Sequence, residues 1–427
     1  MTTTLNPSDA GMDEAALARL DAAVQADIDA GLHFGASLLV ARGGNIVHRA
    51  DLGTVAPNRP AASDDRYLLM SMSKAFTAVL VLRAIEHGRF RLDTRVDEVL
   101  PGFGVGGKEK ATVQQLLCHT SGLPTALVAP PLPLTAIGDL PRKVDAICKL
   151  SAVYEPGTRC AYTSGTGYDV LGQILVVTDP MRRSFRRIAQ EDLFDRLGMQ
   201  TTSFGLATGH PKRVPVSHTA ANEAPTSPPM RQTLNEWMGA DAELPAGGAF
   251  AAIDDLLLFT EALIGRGKNG VQLLSPAMFD QARRNHTGDL KLEAIPPRES
   301  SAPPAAATSQ ERAAEGAAKG GEAMQQGFPD FPANFTLLGG YVRGNGDYHN
   351  AAGRTATPSA LSAVGGASTG WMIDTERDLT FIFLSAGFVE GMAHPRRLSR
   401  LSDLAIAAVK ETKGQMSPPH NKSAAAD

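Results

Sequence analysis

Ser71 and Lys74 form a Ser-x-x-Lys motif in the stretch SMSKAF, at the start of a long apolar run. Positions i and i+3 are neighbours on a helix, so the Lys74 amine can reach the Ser71 hydroxyl. A lysine amine that is buried loses solvation of its charged form and can accept a proton near neutral pH. Serine is a weak nucleophile until such a base activates it. The spacing is therefore compatible with a serine nucleophile and a lysine base, but does not by itself establish them.

The segment after the motif predicts the helix that would carry it. Its apolar residues surround the helix almost completely: Phe76, Val79, Leu80, Val81, Leu82 and Ile85. We expect a buried helix that opens at Ser71 and ends at Gly88, with first-turn amides available to an oxyanion. Because Ser-x-x-Lys also arises by chance, the alternative is that Ser71 or Ser73 only caps the helix while Lys74 extends to water.

Three downstream segments decide between these interpretations. They read TVQQLLCHTSGLP (112–124), EPGTRCAYTSGTGYDVLGQIL (155–175) and LSAVGGASTGWMIDTERDLTFIFL (361–384). With the Ser-x-x-Lys motif, residues 13 to 410 resemble the serine beta-lactamase and penicillin-binding-protein superfamily. Within it the chain is most similar to the family VIII carboxylesterases and class C beta-lactamases. The resemblance implies that Ser71 is the nucleophile.

The second motif of that superfamily falls on Tyr162 and Ser164. The resemblance implies that Tyr162 shares the base role with Lys74 and later protonates the leaving group. A tyrosine beside a buried ammonium is suited to this role because the charge favours its phenolate. Ser164 stands where asparagine is common, and the resemblance implies that it contacts Lys74 or the substrate.

The third motif falls on Val364, Gly365 and Gly366, where valine replaces the usual lysine, histidine or tryptophan. The resemblance implies an oxyanion hole made by the backbone amides of Ser71 and Ala367. Backbone amides survive side-chain substitution, so this hole does not depend on the valine. A cation that would hold a substrate carboxylate is missing, which favours neutral esters or amides over beta-lactams.

Three other residues have patterns that suggest chemistry but are interpreted as structural. Ser368 lies in Gly-Ala-Ser-Thr-Gly, which matches a nucleophile elbow, yet that motif needs a helix after the serine and here a strand hairpin follows. His119 is interpreted as a buried structural histidine, because the lysine and tyrosine already supply a base. Asp374 is interpreted as an acid of the hairpin turn.

Sheet elements at the two ends of the chain must position these residues. At the N-terminal end, residues 13–30 have helical spacing, and two short strands follow around Gly43-Gly44. At the C-terminal end, two more strands, 369–374 and 379–385, precede a helix at about 395–410. We predict an α/β fold (α+β type): an antiparallel sheet built from N- and C-terminal segments and flanked by helices, with an inserted mostly helical domain. This is the beta-lactamase/transpeptidase-like arrangement.

The predicted domain boundaries follow from this arrangement. Residues 12–62 and 240–413 form the sheet domain, 63–239 form the helical domain, and 414–427 form a disordered tail. An insertion at about 296–326 is rich in Ala, Pro, Ser, Glu and Gly. Such a segment has little to bury and is either a solvated excursion or a lid.

Composition narrows the functional classes. The chain has 41 Lys and Arg against 45 Asp and Glu, so no basic field favours nucleic acid or anionic lipid. No apolar run reaches the roughly 18 residues of a membrane helix, and the first residues lack signal-peptide features, so we expect a cytoplasmic protein. Three cysteines (Cys118, Cys148 and Cys160) match neither a disulfide framework nor a zinc site. No metal or cofactor is expected.

The sequence therefore predicts a serine hydrolase that cleaves small-molecule carboxylic esters through an acyl-enzyme. Three alternatives stay open: an acyltransferase, a beta-lactamase or small-amide hydrolase of the same superfamily, and a non-catalytic ligand-binding relative. The acyl and alcohol groups and the oligomeric state are not specified by these residues.

Overall fold

The computed structural model describes residues 3–222, 227–293, 331–345, 351–366 and 368–410. The predicted insertion (296–326), the predicted tail (414–427) and Ala367 lie outside the described residues. In the described parts the strands are β1 (Gly35–Arg42), β2 (Asn45–Ala56), β3 (Arg59–Pro60), β4 (Tyr67–Leu68), β5 (Ser203–Phe204), β6 (Ala249–Ala251), β7 (Tyr341–Val342), β8 (Leu361–Gly365), β9 (Thr369–Asp374) and β10 (Leu379–Ala386).

The helices of the same ranges surround these strands. They are α1 (Glu14–Asp29), α2 (Ser73–Glu86), α3 (Val96–Val99), α4 (Val113–Leu117), α5 (Leu140–Cys148), α6 (Thr166–Val177), α7 (Phe185–Ala189), α8 (Asp195–Leu197), α9 (Ser227–Glu236), α10 (Ile253–Leu263), α11 (Pro276–Ala282) and α12 (Ala393–Ala407). The prediction for the first helix is confirmed: Asp13 caps α1 by accepting a hydrogen bond from the Ala16 amide at 3.1 Å.

The main sheet is antiparallel and has the strand order β3-β2-β1-β10-β9-β8-β7. Its centre is the pairing of β1 with β10, in which Leu38 lies opposite Phe383. The first and last parts of the chain therefore form one sheet, which confirms the predicted fold class. A smaller sheet, in the order β4-β6-β5, lies among the helices.

Both faces of the main sheet are covered, which explains why β10 is buried along its whole length. Successive side chains of a strand point to opposite faces. Leu38 and Phe383 join an outer core with α1 and α12, whereas Leu39 and Ile382 join an inner core that includes most of α2, α6 and α10. The candidate site lies on the inner side.

Helix α2 is buried on nearly all sides, as its sequence predicts. Phe76 makes edge-to-face contacts with Phe194 and Phe259 at centroid distances of 5.2 and 4.7 Å. The helix begins at Ser73 instead of Ser71. Residues Met70–Met72 form a 3-10 turn ahead of it, so Ser71 precedes the helix by two residues.

Candidate active site

Ser71 lies on the 3-10 turn because the chain is held firmly just before it. The Leu69 amide donates to the Ala249 carbonyl at 2.8 Å, and the Leu69 carbonyl accepts from the Thr369 hydroxyl at 2.9 Å. Met70 then adopts a left-handed backbone with φ 48°, which is uncommon outside glycine. Such strained positions persist only where surrounding structure fixes them. The turn presents Ser71 as a half-buried side chain.

Lys74 is almost fully buried, with 1% of its surface exposed. Its Nζ lies 3.1 Å from Ser71 Oγ, 2.8 Å from the Ser164 carbonyl and 3.0 Å from the Ala246 carbonyl. These three acceptors match the three N–H donors of an ammonium group. The lysine therefore does not extend to water, and the alternative interpretation of the motif loses its support on this point.

Ser73 does not act as a helix cap either. The N-cap position of α2 is Met72, and it makes no side-chain capping hydrogen bond. The Ser73 hydroxyl instead accepts a hydrogen bond from the Ala249 amide at 3.0 Å. Both serines beside Lys74 are thus tied to groups other than the free amides of the first helical turn.

Tyr162 is the second group on the Ser71 hydroxyl. Its phenol donates to Ser71 Oγ at 2.7 Å, and its ring lies 5.1 Å from Lys74 Nζ. The ring packs against His119 at a centroid distance of 4.6 Å. The structure therefore brings Ser71, Lys74 and Tyr162 together from two distant parts of the chain, as the motifs predict.

The segment 244–249, LPAGGA, is a part of the site that sequence reasoning missed. It runs along α2: the Thr77 hydroxyl donates to the Pro245 carbonyl at 2.8 Å, and Lys74 donates to the Ala246 carbonyl. Its contribution is made by backbone carbonyls, which carry no residue-type signature. The proline and paired glycines ahead of the buried strand β6 were the only available signal.

Ser164 contacts Lys74 through its backbone and not through its side chain. The carbonyl accepts from Nζ, while the hydroxyl lies 3.2 Å from the Thr125 hydroxyl. The Ser164 amide also donates to that hydroxyl at 3.3 Å. Thr125 therefore fixes the peptide that holds Lys74, a role that was not predicted.

The third motif lies against the turn that carries Ser71. A Cβ atom at Gly365 would collide with the Leu69 carbonyl, so only glycine allows this approach. Gly366 has open space on its side-chain face. Since side chains alternate along β8, Val364 points to the other face, where it is half-buried against the outer core. Ala367, the predicted second oxyanion donor, is not among the described residues, so its role stays a prediction.

A family model described as Beta-lactamase matches residues 20–405. The chain belongs to the beta-lactamase family. Penicillin-binding protein 4 of Amycolatopsis lactamdurans is 32% identical over 230 residues, which cover 52% of this chain and 57% of that relative. The match thus spans little more than half of the relative's length.

Solved structures of several hydrolases share the fold over most of the chain. EstCE1, described as a hydrolase with promiscuous acyltransferase activity, superposes with a TM-score of 0.67 at 21% identity, covering 91% of this chain and 99% of its own. A family VIII carboxylesterase superposes with a TM-score of 0.67 at 17% identity, covering 92% and 99%. At these identities the superpositions show a common fold alone.

His119 lies beside the site, where hydrogen bonds and packing hold its ring in place. Its Nδ1 contacts the Thr163 hydroxyl at 2.8 Å, and its carbonyl accepts from the Tyr154 hydroxyl at 3.1 Å. Burial, and then the charge of Lys74, hold the pKa of His119 well below its usual value. The ring is therefore neutral and packed, which supports the structural interpretation.

Ser368 and Asp374 are likewise held in structural roles. Ser368 is 1% exposed, and the strand β9 follows it where a nucleophile elbow would need a helix. Asp374 is buried and accepts hydrogen bonds from the Thr357 amide at 3.0 Å and from Arg377 Nη1 at 2.7 Å. Neither residue is joined to Ser71 by a hydrogen bond among the described residues.

A buried ion pair lies behind the site and was also missed. Lys143 Nζ, on α5, lies 2.6 Å from Asp169 Oδ2, on α6, and both side chains are fully buried. Burial lowers the pKa of Lys143 and raises that of Asp169, and their mutual attraction opposes both shifts. Asp169 is the single charged residue of the apolar stretch TGYDVLGQIL, which was a signal for a buried partnered charge, whereas Lys143 lies between other charged residues in LPRKVDAI and carried no such signal.

Two further classes of site were sought in the described ranges. No group of three or more His, Cys, Asp or Glu side chains in them is arranged to hold a metal ion. No helix in the same ranges is both long and apolar enough to cross a membrane.

Proposed function

We propose that this chain is a serine hydrolase that cleaves carboxylic esters through an acyl-enzyme on Ser71. The observation that carries the proposal is the environment of the Ser71 hydroxyl, which contacts Lys74 Nζ at 3.1 Å and the Tyr162 hydroxyl at 2.7 Å. A nucleophile within hydrogen-bond reach of a positioned base is the arrangement that covalent catalysis needs. Membership of the beta-lactamase family supports the same class of chemistry.

The proton path follows from the same contacts. The pair acts with one proton fewer than a full ammonium and phenol together: Ser71 Oγ attacks the ester carbonyl, and its proton passes to the Lys74–Tyr162 pair, with the phenol oxygen as the nearer partner. The oxyanion is stabilised by the backbone amides assigned to Ser71 and Ala367. When the intermediate collapses, the alkoxide leaves and takes the proton from Tyr162. Water then attacks the acyl-enzyme by the same path in reverse and releases the acid.

Neutral esters are proposed as the substrate class because the third motif places no polar side chain beside Ser71: Val364 packs against the outer core, and Gly365 and Gly366 have no side chain. Valine has neither a charge nor a hydrogen-bond donor for a substrate carboxylate. A family VIII carboxylesterase among the structures with the same fold is consistent with this choice. We expect beta-lactams to be poor substrates beside short-chain esters, and location in the cytoplasm stays a prediction.

An acyltransferase is the second candidate, since the same acyl-enzyme can be resolved by an alcohol. EstCE1, with the same fold, is described as having promiscuous acyltransferase activity. Addition of a small alcohol to the ester assay distinguishes the two outcomes. Growth of the transesterified product at the expense of the free acid would favour the transferase.

The test of the proposal is the loss of ester hydrolysis in Ser71→Ala. Removing the nucleophile is expected to lower kcat/KM for p-nitrophenyl butyrate by at least about 10³-fold. A fluorophosphonate probe should label the wild-type chain at Ser71. Ser368→Ala serves as the matched control and should keep both labelling and turnover. Labelling at Ser368, or an inactive wild type that binds the ester without turnover, would overturn the proposal.

A further inference from the structure

Burying the Lys143–Asp169 ion pair costs desolvation free energy, and the proton path through Ser71 does not use the pair. Both side chains have no exposed surface, and their 2.6 Å contact joins α5 to α6. The Asp169 oxygens have no well-aligned hydrogen bond among the described residues. Apolar residues of similar size often pack at least as stably as a buried ion pair. A pair retained in this form therefore calls for a role besides packing.

The position of the pair links it to both carbonyls that hold Lys74. Helix α6 begins just after Ser164, whose carbonyl accepts from Nζ, and the Asp169 amide donates to the Gly165 carbonyl at 3.0 Å. On the other side, the Ala246 amide faces the Asp169 carboxylate, and the Ala246 carbonyl accepts from Lys74. One residue, Ala246, thus lies between the carboxylate and the lysine amine.

We propose that Lys143 and Asp169 are positioning residues for Lys74: together they hold its two carbonyl partners and keep the buried charge beside it balanced. This inference rests on the proposed ester hydrolysis. Asp169 alone would place an uncompensated anion next to the Lys74–Tyr162 pair, and Lys143 alone would place an uncompensated cation there. Only the two together leave the proton equilibrium of the site undisturbed.

The other titratable groups that face Lys74 do not supply this balance. Tyr162 and Tyr168 lie with their ring centres 5.1 and 5.4 Å from Nζ. Burial raises the pKa of Tyr168 well above its usual value, so that phenol is neutral. His119 is neutral because burial, and then the charge of Lys74, lower its pKa. Asp169 and Lys143 remain as the charged neighbours that interact with Lys74 among these groups.

The experiment measures the acid limb of the pH profile of kcat/KM, which responds to the charge around the acid–base groups of the free enzyme. Asp169→Asn leaves Lys143 as an unpaired cation and should move the limb to lower pH by about one unit. Lys143→Met leaves an unpaired carboxylate and should move it to higher pH by a similar amount. The double variant should return it to the wild-type position.

Asp179→Asn is the matched control, because it removes a buried carboxylate just beyond the other end of α6. It should lower the melting temperature without moving the limb. If Lys143→Met does not fold, the positions of the acid limb in Asp169→Asn and in the double variant are compared instead. Neither of these variants leaves an unpaired carboxylate. A limb that stays in place, or moves the same way in both single variants, would overturn the inference.

The rate of fluorophosphonate labelling at Ser71, followed over the same pH range, separates this inference from the proposed function. Labelled wild type with an unmoved limb contradicts the positioning role alone. Absence of labelling at Ser71 in the wild type contradicts the proposed function itself. The expected result is labelling in every folded variant, with the pH dependence of its rate displaced in the same directions as that of kcat/KM.

Discussion

The two ends of helix α6 have buried carboxylates in opposite environments. Near its start, Asp169 contacts Lys143 and has no well-aligned hydrogen bond among the described residues, and burial raises its pKa. Just beyond its end, Asp179 accepts hydrogen bonds from the Arg183 backbone amide and guanidinium at 2.8–3.1 Å, and these lower its pKa. The first carboxylate is destabilised as an anion and the second is stabilised.

This difference separates a functional charge from a structural one. Arg183 also contacts Glu191 and Asp192 at 2.9 and 2.8 Å, so its donors are satisfied by carboxylates that reach the solvent-exposed side. Such a network ties α6 to the following helices. Among the described residues the pair at the start of α6 has no such network, and only Ala246 lies between it and Lys74. We therefore expect substitutions at the start to change rates and substitutions at the end to change stability.

The largest expected effect is on catalysis, at the acid–base groups beside the start of α6. Lys74→Ala and Tyr162→Phe should each lower kcat/KM for p-nitrophenyl butyrate by about 10²-fold or more, as is usual for a positioned acid–base group. Because both serve one proton path, the double variant should be little slower than the slower single variant. Arg183→Met is the control and should keep kcat/KM within twofold. A double variant as slow as the product of the two losses would show that the paths are independent.

Arg183→Met should in turn have the largest effect on stability. It leaves Asp179 buried, with Arg89 at 3.7 Å as its remaining cation partner among the described residues. Breaking a buried pair in this way costs about 3–5 kcal/mol of unfolding free energy. Denaturant unfolding measures this loss. An unchanged unfolding midpoint would show that the network is not needed to hold α6.

The lowered pKa of Asp179 makes a pH-dependent prediction about stability. An Asp whose pKa is lower in the folded state contributes stability that is present above its unfolded value of about 3.9 and lost as pH falls through the folded pKa. The difference in melting temperature between wild type and Asp179→Asn should therefore shrink as the pH falls from about 5 to about 3. Asp169→Asn should not show this trend, because the pKa of Asp169 is raised.

Local motifs were sufficient to predict the residues that meet at Ser71, because each lies in a short segment with its own spacing. The Asp13 cap and the strand pair around Gly43-Gly44 were predictable for the same reason, since neighbouring residues decide them. The start of α2 could not be predicted from neighbouring residues. Ser71 lies on a 3-10 turn because Ala249 and Thr369, distant in sequence, hold Leu69.

The partners of Lys74 could not be predicted for a similar reason. The Ser164 and Ala246 contacts use backbone carbonyls, which every residue has, so no residue type reveals them. Asp169 did carry a signal, as the single charge within the apolar helix α6, but Lys143 did not, because α5 also contains Arg142 and Asp145. The pairing of Lys143 with Asp169 depends on how α5 and α6 pack, which spacing within either helix does not determine.

Ser164→Ala is expected to have a modest effect that distinguishes backbone from side-chain contacts at the start of α6. The variant keeps the carbonyl that accepts from Lys74 and loses only the contact with the Thr125 hydroxyl. A neutral hydrogen bond contributes about 1 kcal/mol, so kcat/KM should fall by about fivefold at most. Thr125→Val should give a larger loss, because it also removes the acceptor of the Ser164 amide. A hundredfold loss in Ser164→Ala alone would show that the hydroxyl itself contacts the substrate.

The smallest effect is expected at Val364, on the strand side of Ser71. A charge-assisted hydrogen bond to a substrate carboxylate is worth about 1.5–3 kcal/mol, or roughly 10- to 100-fold in binding, when the side chain reaches it. Val364 instead packs against the outer core, on the face of β8 opposite the Gly365 contact with Leu69. Because the position is half-buried, a lysine stem can follow the outer surface and place its amine in water.

Val364→Lys should therefore change the ratio of kcat/KM for nitrocefin to that for p-nitrophenyl butyrate by less than about threefold. The apolar control Val364→Leu should change it equally little. A rise of tenfold or more in the lysine variant alone would show that this side chain turns toward the substrate, and that the machinery around Ser71 extends onto β8 as well as along the start of α6.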